Sequence, residues 1–269
     1  MTRFHLRTRP LHRFLASTVQ VYPVALFDEV LTWLYSIHAD VASTVEIVAV
    51  SMTPPGADDA PPERVFLVSA LAFTADAAEA DAALAPFRSS PVLDRALAVV
   101  DAAPTTLAAQ RADQVRANPE HARYVVDNAW VDGEPGEIAA ALRPLFVDLP
   151  TPASFTIWFS MAPLRPLPDM AFSLQTDAYV ASYCIAGDAG EDEPIRRWLA
   201  DAWRAAQPVT VGQYLGDSDM TSRQLRVLGD AQWERLQQVI DDRDPEGRFV
   251  RYLAAEPATA NRNHWEVAR

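Results

Sequence analysis

The chain reads as an α+β protein: tandem ferredoxin-like βαββαβ halves forming a mostly antiparallel sheet covered by helices on one face. Three observations predict this. Apolar residues alternate with period two in some stretches and recur at helical spacing in others. Proline-, glycine- and aspartate-rich segments separate these stretches. The order strand, helix, strand, strand, helix, strand then occurs twice.

The elements fall in order along the chain. Phe4 and Leu6 alternate with His5 and Arg7, a short strand within the first ten residues. Leu15 to Tyr22 is β-rich and stops at Pro23, a good first residue for the next helix. In that helix Leu26, Phe27, Val30, Leu31, Leu34 and Ile37 mark one apolar face. Val45 to Met52 and Val65 to Phe73 are strands around an exposed loop, Ala75 to Phe87 is an alanine-rich helix, and Val92 to Val100 is a further strand. A helix from Thr105 to Arg116 links to the second series.

That series opens with a strand from Tyr124 to Val131. Pro135 starts a helix carrying Ile138, Leu142, Leu145 and Phe146. Phe155 to Met161 and Ala171 to Ile185 are strands joined by a proline-rich loop. Pro194 opens a helix with Ile195, Trp198, Leu199 and Ala202 on one face, and Val209 to Leu215 is the closing strand. Beyond it come a helical turn at Leu225 to Leu228 and a helix from Ala231 to Asp242, with Trp233, Leu236, Val239 and Ile240 at core spacing.

Composition narrows the function classes. With 269 residues, 49% of them hydrophobic, there is material for one large domain or two small ones. A net charge of −13 argues against nucleic acid or an anionic membrane as partner, since phosphate contacts need a basic surface. No apolar run approaches the ~20 residues of a membrane span, and the cytoplasm is the expected location. All 23 basic residues are arginine, which removes lysine as a nucleophile; with the abundant alanine this reads as a GC-rich, bacterial-type composition. The lone cysteine, Cys184, lies in an apolar stretch and reads as an inert core thiol.

Most candidate chemistry resolves into structure. The five histidines share no ligand spacing, so no metal site is expected. Asp127-Asn128 and Asp169 read as turn or strand-edge polarity, and Trp130 and Trp158 as core. No nucleophile–base pair supports a self-sufficient hydrolase. Two segments stand out. On the strand through Gln175, Tyr179 and Tyr183, polar and phenolic groups share one face, as a ligand floor needs. Gly212-Gln213-Tyr214-Leu215-Gly216-Asp217 places a tyrosine between glycines at a strand end.

These two segments, together with the residues C-terminal to them, resemble the C-terminal region of berberine-bridge-enzyme-like FAD-linked oxidases of the vanillyl-alcohol-oxidase superfamily. The family's closing signature is a Tyr-x-Asn strand, a Gly, an Arg-Leu pair and Asp-Pro-x-x-x-Phe. Here Tyr214-Leu215-Gly216, Gly229, Arg235-Leu236 and Asp244-Pro245-Glu246-Gly247-Arg248-Phe249 occur in that order. Ala171-Phe172 through Gln175 is similar to the family's Ala-Phe-x-x-Arg strand, and Thr2 to Leu6 to the strand ending its FAD domain. Two departures are Gly216 for the usual Asn and Gln175 for the usual Arg.

The resemblance implies a substrate domain packed over a flavin ring, with FAD held mainly by a domain encoded upstream. It implies Tyr214 as catalytic residue, Gln213, Tyr214 and Gly216 near the cofactor, and Gln175, Tyr179 and Tyr183 toward a small organic substrate. The domains then run 1–12, a remnant strand of the FAD domain; 13–216, the substrate-binding domain; 217–256, a helical segment packing back on the FAD domain; and 257–269, a loose tail. The alternative is a non-enzymatic ligand-binding or dimerising protein derived from the same fold.

Overall fold

A computed structural model describes residues 12–54, 63–117, 120–164, 166, 169–218, 223 and 225–249. The strand expected within the first ten residues and the tail from 257 lie outside them.

Eight strands form one antiparallel sheet: β1 (Phe14–Pro23), β2 (Val45–Met52), β3 (Val65–Thr74), β4 (Ala98–Pro104), β5 (Arg123–Val131), β6 (Phe155–Ser160), β7 (Ala178–Ala186) and β8 (Thr210–Gly212). Their order across the sheet is β4-β1-β3-β2-β6-β7-β5-β8, so the first four strands fill one half and the last four the other. The halves meet where β2 pairs with β6, Val48 opposite Phe159 and Val50 opposite Ile157.

The helices are α1 (Phe27–Ile37), α2 (Ala77–Leu84), α3 (Leu107–Ala117), α4 (Pro135–Val147), α5 (Asp192–Ala205) and α6 (Asp230–Arg243). Local chemistry sets their ends. Asp76 accepts the Glu79 N–H while Glu79 accepts that of Ala75, a reciprocal cap that starts α2. Pro135 sits in the first turn of α4, where its missing N–H costs nothing. Pro23 ends β1 and is followed by a short 3₁₀ turn, so it does not open α1 itself as expected.

The α+β expectation holds. Helices α1, α2, α4 and α5 cover one sheet face, and the main core lies between. Phe27, Leu31, Leu34, Ile138, Leu142, Phe146, Leu199 and Trp203 meet Tyr22, Ile47, Phe66, Val68, Trp158 and Val180 from the strands. Phe27 and Phe146 stack with ring centroids 4.8 Å apart, and Phe66 meets both edge-on. Cys184 is fully buried here, and burial pushes its thiol up to about 12, in keeping with an unreactive side chain.

Several expected boundaries shift. The strand expected from Val92 begins at Ala98, after a 3₁₀ turn at Leu93–Arg95. The strand expected from Ala171 begins at Ala178, because residues 171–177 run as an irregular segment across the sheet end. Leu225 to Leu228 is irregular backbone whose Arg226 carbonyl accepts the Gln213 N–H, not a helical turn. Helix α6 buries none of its residues: Trp233 and Leu236 pack partly on Val227 and Leu228, and Val239 is exposed.

His38 lies just beyond the end of α1, where a helix dipole favours the charged ring. Burial wins over that. The ring is 2% exposed, bonds Ser160 Oγ through Nδ1 at 3.1 Å, and has its pKa lowered by desolvation against a weaker upward pull from Asp177. The unfolded chain therefore protonates His38 first as pH falls. Its contribution to stability is complete above the usual value of 6.5 and is lost as pH drops through the lower folded value. Urea denaturation between about pH 7.5 and 5.5 is expected to show stability falling toward acid, with a shallower fall in His38→Gln.

Candidate functional site

The sheet face opposite the helices carries a second, smaller cluster, and strand register builds it. Phe159 on β6, Tyr179 on β7, Trp130 on β5 and Gly212 on β8 stand directly opposite one another in a row. The next row is Ile157, Ala181 and Asn128, and the next Phe155, Tyr183 and Val126. Trp130, Leu174, Tyr179 and Ala181 are buried in this cluster, with Phe159, Met161, Tyr183 and Val211 partly buried around them.

A loop from Gln213 to Asp217 folds over the rows. Asp217 Oδ2 accepts the hydroxyl of Tyr179 at 2.9 Å and that of Tyr183 at 2.5 Å. Its carboxylate thus bridges two tyrosines separated by the small Ala181. Burial, with the neighbouring Asp217 charge, raises both phenol pKa values, so both stay protonated as donors. Tyr214, 40% exposed, stands edge-on to Phe172 and Tyr179 with centroids at 5.7 and 6.1 Å. Phe172 is itself exposed, so the rim of the cluster is aromatic and open.

The loop is held from beneath by Asp127 and Asn128, fully buried on interior strand β5. They are not the turn or strand-edge polarity expected from the sequence. Consecutive strand residues point to opposite faces, and each finds its own partners. Asn128 donates to the carbonyls of Tyr214 and Asp217 at 2.9 and 2.7 Å and accepts the Tyr214 N–H at 2.8 Å. Asp127 accepts Gln213 Nε2 at 2.6 Å and Arg223 Nε at 2.8 Å, and the Arg223 guanidinium lies 4.3 Å from the Trp203 ring.

The expected site residues thus take different stations. Tyr179, Tyr183 and Tyr214 come together. Gln213 is fully buried, its Nε2 given to Asp127 and its Oε1 to the Leu225 N–H. Gln175 lies half-buried in the irregular segment before β7, off the strand alternation that would pair it with Tyr179. Gly216 is exposed, and a Cβ there would lie 2.8 Å from Tyr214 ring atoms: the phenol folds back over the space that a side chain would need. Asp169 is exposed and pairs with Arg235, tying the loop before β7 to α6. Asp217, Asp127 and Asn128 are the additions. An Asp-Asn pair inside an otherwise apolar strand was the readable signal, because buried polar groups need partners.

The closing segment has a local logic too. Asp244 collects the N–H groups of Arg248 and Phe249 on its carboxylate, and Gly247 takes a left-handed φ of +63° to make that turn. Among the described residues no three His, Cys, Asp or Glu side chains gather to hold a metal, and no helix is long and apolar enough to cross a membrane.

No family model matches the chain. Searches of curated proteins and solved structures do find relatives. The chain is 29% identical to the FAD-linked oxidoreductase ptmO of Penicillium ochrochloron over 252 residues, covering 93% of this chain and 54% of that protein. This chain resembles the berberine-bridge-like FAD-linked oxidoreductases. Its fold matches BBE-like 1 of Physcomitrella patens (TM-score 0.68, 10% identity, 90% of this chain and 54% of that one). It also matches 6-hydroxy-D-nicotine oxidase of Arthrobacter nicotinovorans (TM-score 0.63, 16% identity, 89% and 54%). The chain therefore spans about half the length of the relatives it matches, and it is similar to part of an oxidoreductase.

Two substitutions test this architecture. Gly212→Ala puts a Cβ 2.2 Å from Leu174 Cδ2 and 2.6 Å from the Arg226 carbonyl, where backbone cannot step aside. A loss of about 1–3 kcal/mol is expected in urea denaturation. Gly136→Ala, helical and with nothing within 4 Å, is the comparison expected to lose no stability. Asp127→Ala strands the Gln213 amide and the Arg223 charge, and a loss of about 3–5 kcal/mol is expected. Faster tryptic cleavage after Arg226 is expected to accompany it.

Proposed function

We propose that the chain is the substrate-binding and capping part of an FAD-dependent oxidoreductase that oxidises a small organic substrate such as an alcohol, sugar or phenolic secondary metabolite. The observation carrying this reading is the sheet face away from helices α1, α2, α4 and α5, where exposed Phe172 and Tyr214 form an aromatic rim to the cluster that holds Tyr179 and Tyr183.

The residues present fit one side of a planar ring, not a whole dinucleotide. Phe172 and Tyr214 offer exposed aromatic surface, while no glycine-rich phosphate loop occurs in the sequence. An FAD-binding domain is the partner this reading requires. FAD, when bound, supplies the two-electron acceptor. The chain's own part is positioning. Tyr214, at the exposed end of the Gln213–Asp217 loop, is the side chain assigned to touch the reacting centre. Gln213 serves it from behind through Asp127, and Gly216 leaves room for its ring. Tyr179 and Tyr183 face substrate, and Gln175 borders it from the segment before β7.

Strand order supports a further part of the reading, that the two halves are ferredoxin-like duplicates. The first runs β4-β1-β3-β2 and the second β6-β7-β5-β8, the same order in mirror sequence about the β2–β6 seam. A cytoplasmic location is in keeping with a single, free, buried cysteine.

Coexpression with the unmatched half of the Penicillium ochrochloron relative is expected to give a yellow complex that retains FAD. The chain alone is expected to quench lumiflavin fluorescence through its aromatic rim, and Tyr214→Ala to lose most of that quenching. A colourless coexpressed pair, together with lumiflavin emission unaffected by a roughly tenfold molar excess of chain, would sink the proposal.

A further inference from the structure

Resting on the reading that the aromatic face receives substrate, we infer that it takes an organic cation: a protonated amine carried on an apolar scaffold, with Asp217 as its counter-charge. Compensation of charge makes the first argument. Asp127 is answered by Arg223, Asp169 by Arg235 and Asp230 by Arg226. Asp217, among the described residues, has no cation beside it; it holds two neutral phenols instead.

Donor and acceptor inventory makes the second. Tyr179 and Tyr183 both spend their hydroxyl protons on Asp217 Oδ2, so what remains to the two phenol oxygens and to the carboxylate is acceptor capacity alone. The Trp130 indole N–H has no partner, but its nitrogen has no accessible surface either. Such a surface suits a ligand rich in donors, and an alkylammonium offers three donors and no acceptor.

Aromatic geometry makes the third. Trp130, Phe159 and Tyr214 meet Tyr179 with centroids 5.1 to 6.1 Å away, Phe172 meets Trp130 and Tyr214 at 6.2 and 5.7 Å, and the exposed rings of Phe172 and Tyr214 favour a cation over a neutral group. The Asp217 carbonyl is fixed by Asn128 at 2.7 Å, so the carboxylate is placed before a ligand arrives.

The test titrates the full chain with phenethylamine, with 2-phenylethanol as its neutral counterpart and methylamine as a cation without a ring, followed by ligand-detected NMR. The amine is expected to bind about tenfold more tightly than the alcohol, and methylamine more weakly than phenethylamine. Asp217→Asn is expected to bring the ratio near one with alcohol binding unchanged, while Asp113→Asn, on the exposed α3, leaves the ratio intact. Should Asp217→Asn fail to fold, Phe172→Leu and Tyr214→Leu at the exposed rim must each cut amine binding about threefold.

Equal binding of amine and alcohol overturns the inference. So does a preference that survives Asp217→Asn, which would trace to the net charge of −13, and so does no amine binding up to about 10 mM. Because no flavin is present, loss of amine selectivity leaves the flavin experiment standing. Amine selectivity without flavin binding would leave a cation-binding protein and remove the oxidoreductase reading.

Discussion

The site depends on one constraint: two adjacent polar side chains, Asp127 and Asn128, are buried on an interior strand and must find partners inside the protein. An unmet buried carboxylate or amide is costly, and neither can reach water. Both find what they need in the same loop, some ninety residues further along the chain. Asn128 grips its backbone from the open face, and Asp127 holds Gln213 and Arg223 from the helix face. The loop has little regular structure of its own, only a 3₁₀ turn at Leu215–Asp217. Its shape is the shape that satisfies β5.

That clamp also explains how a short strand can carry a site. Strand β8 is three residues long and, among the described residues, pairs with β5 alone. Close approach of the segment at Arg226, permitted by Gly212, gives it a second neighbour through the Gln213 N–H. The sheet edge is thereby thickened where the tyrosines need a wall. One face of the sheet is sealed by helices and mainly apolar, with Asp127, Ser182 and Thr156 buried beneath them, while the other joins aromatic rings to a carboxylate. Period-two alternation keeps the two chemistries apart on the same strands.

Much of the fold was legible because it is local. The apolar stripes of α1 and α4 named Phe27, Leu31, Leu34, Ile138, Leu142 and Phe146, and all are buried. On α5 the stripe gave Ile195, Leu199 and Ala202 but missed Trp203, which is fully buried beneath Arg223. Phe172 and Leu174 continue the alternation of β7, so the sequence pattern extends it seven residues ahead of its start at Ala178. Yet Leu174 turns to the tyrosine side, into the cluster with Trp130. Within the site, Tyr179, Tyr183 and Tyr214 were readable as phenols at strand positions. Asp217 was not, since its meaning comes from the β5–β8 pairing that brings it over residues 34 and 38 positions earlier. Spacing along the chain carries no trace of such a contact.

The burial of Cys184 has a practical consequence for anyone wishing to watch this protein in solution. Its only thiol is sealed in the core with its ionisation suppressed, so alkylating reagents have no exposed thiolate to attack. A cysteine introduced at one surface position would be the sole reactive handle for a spin label or fluorophore. The chain already has the background that most proteins acquire only after their native cysteines are removed.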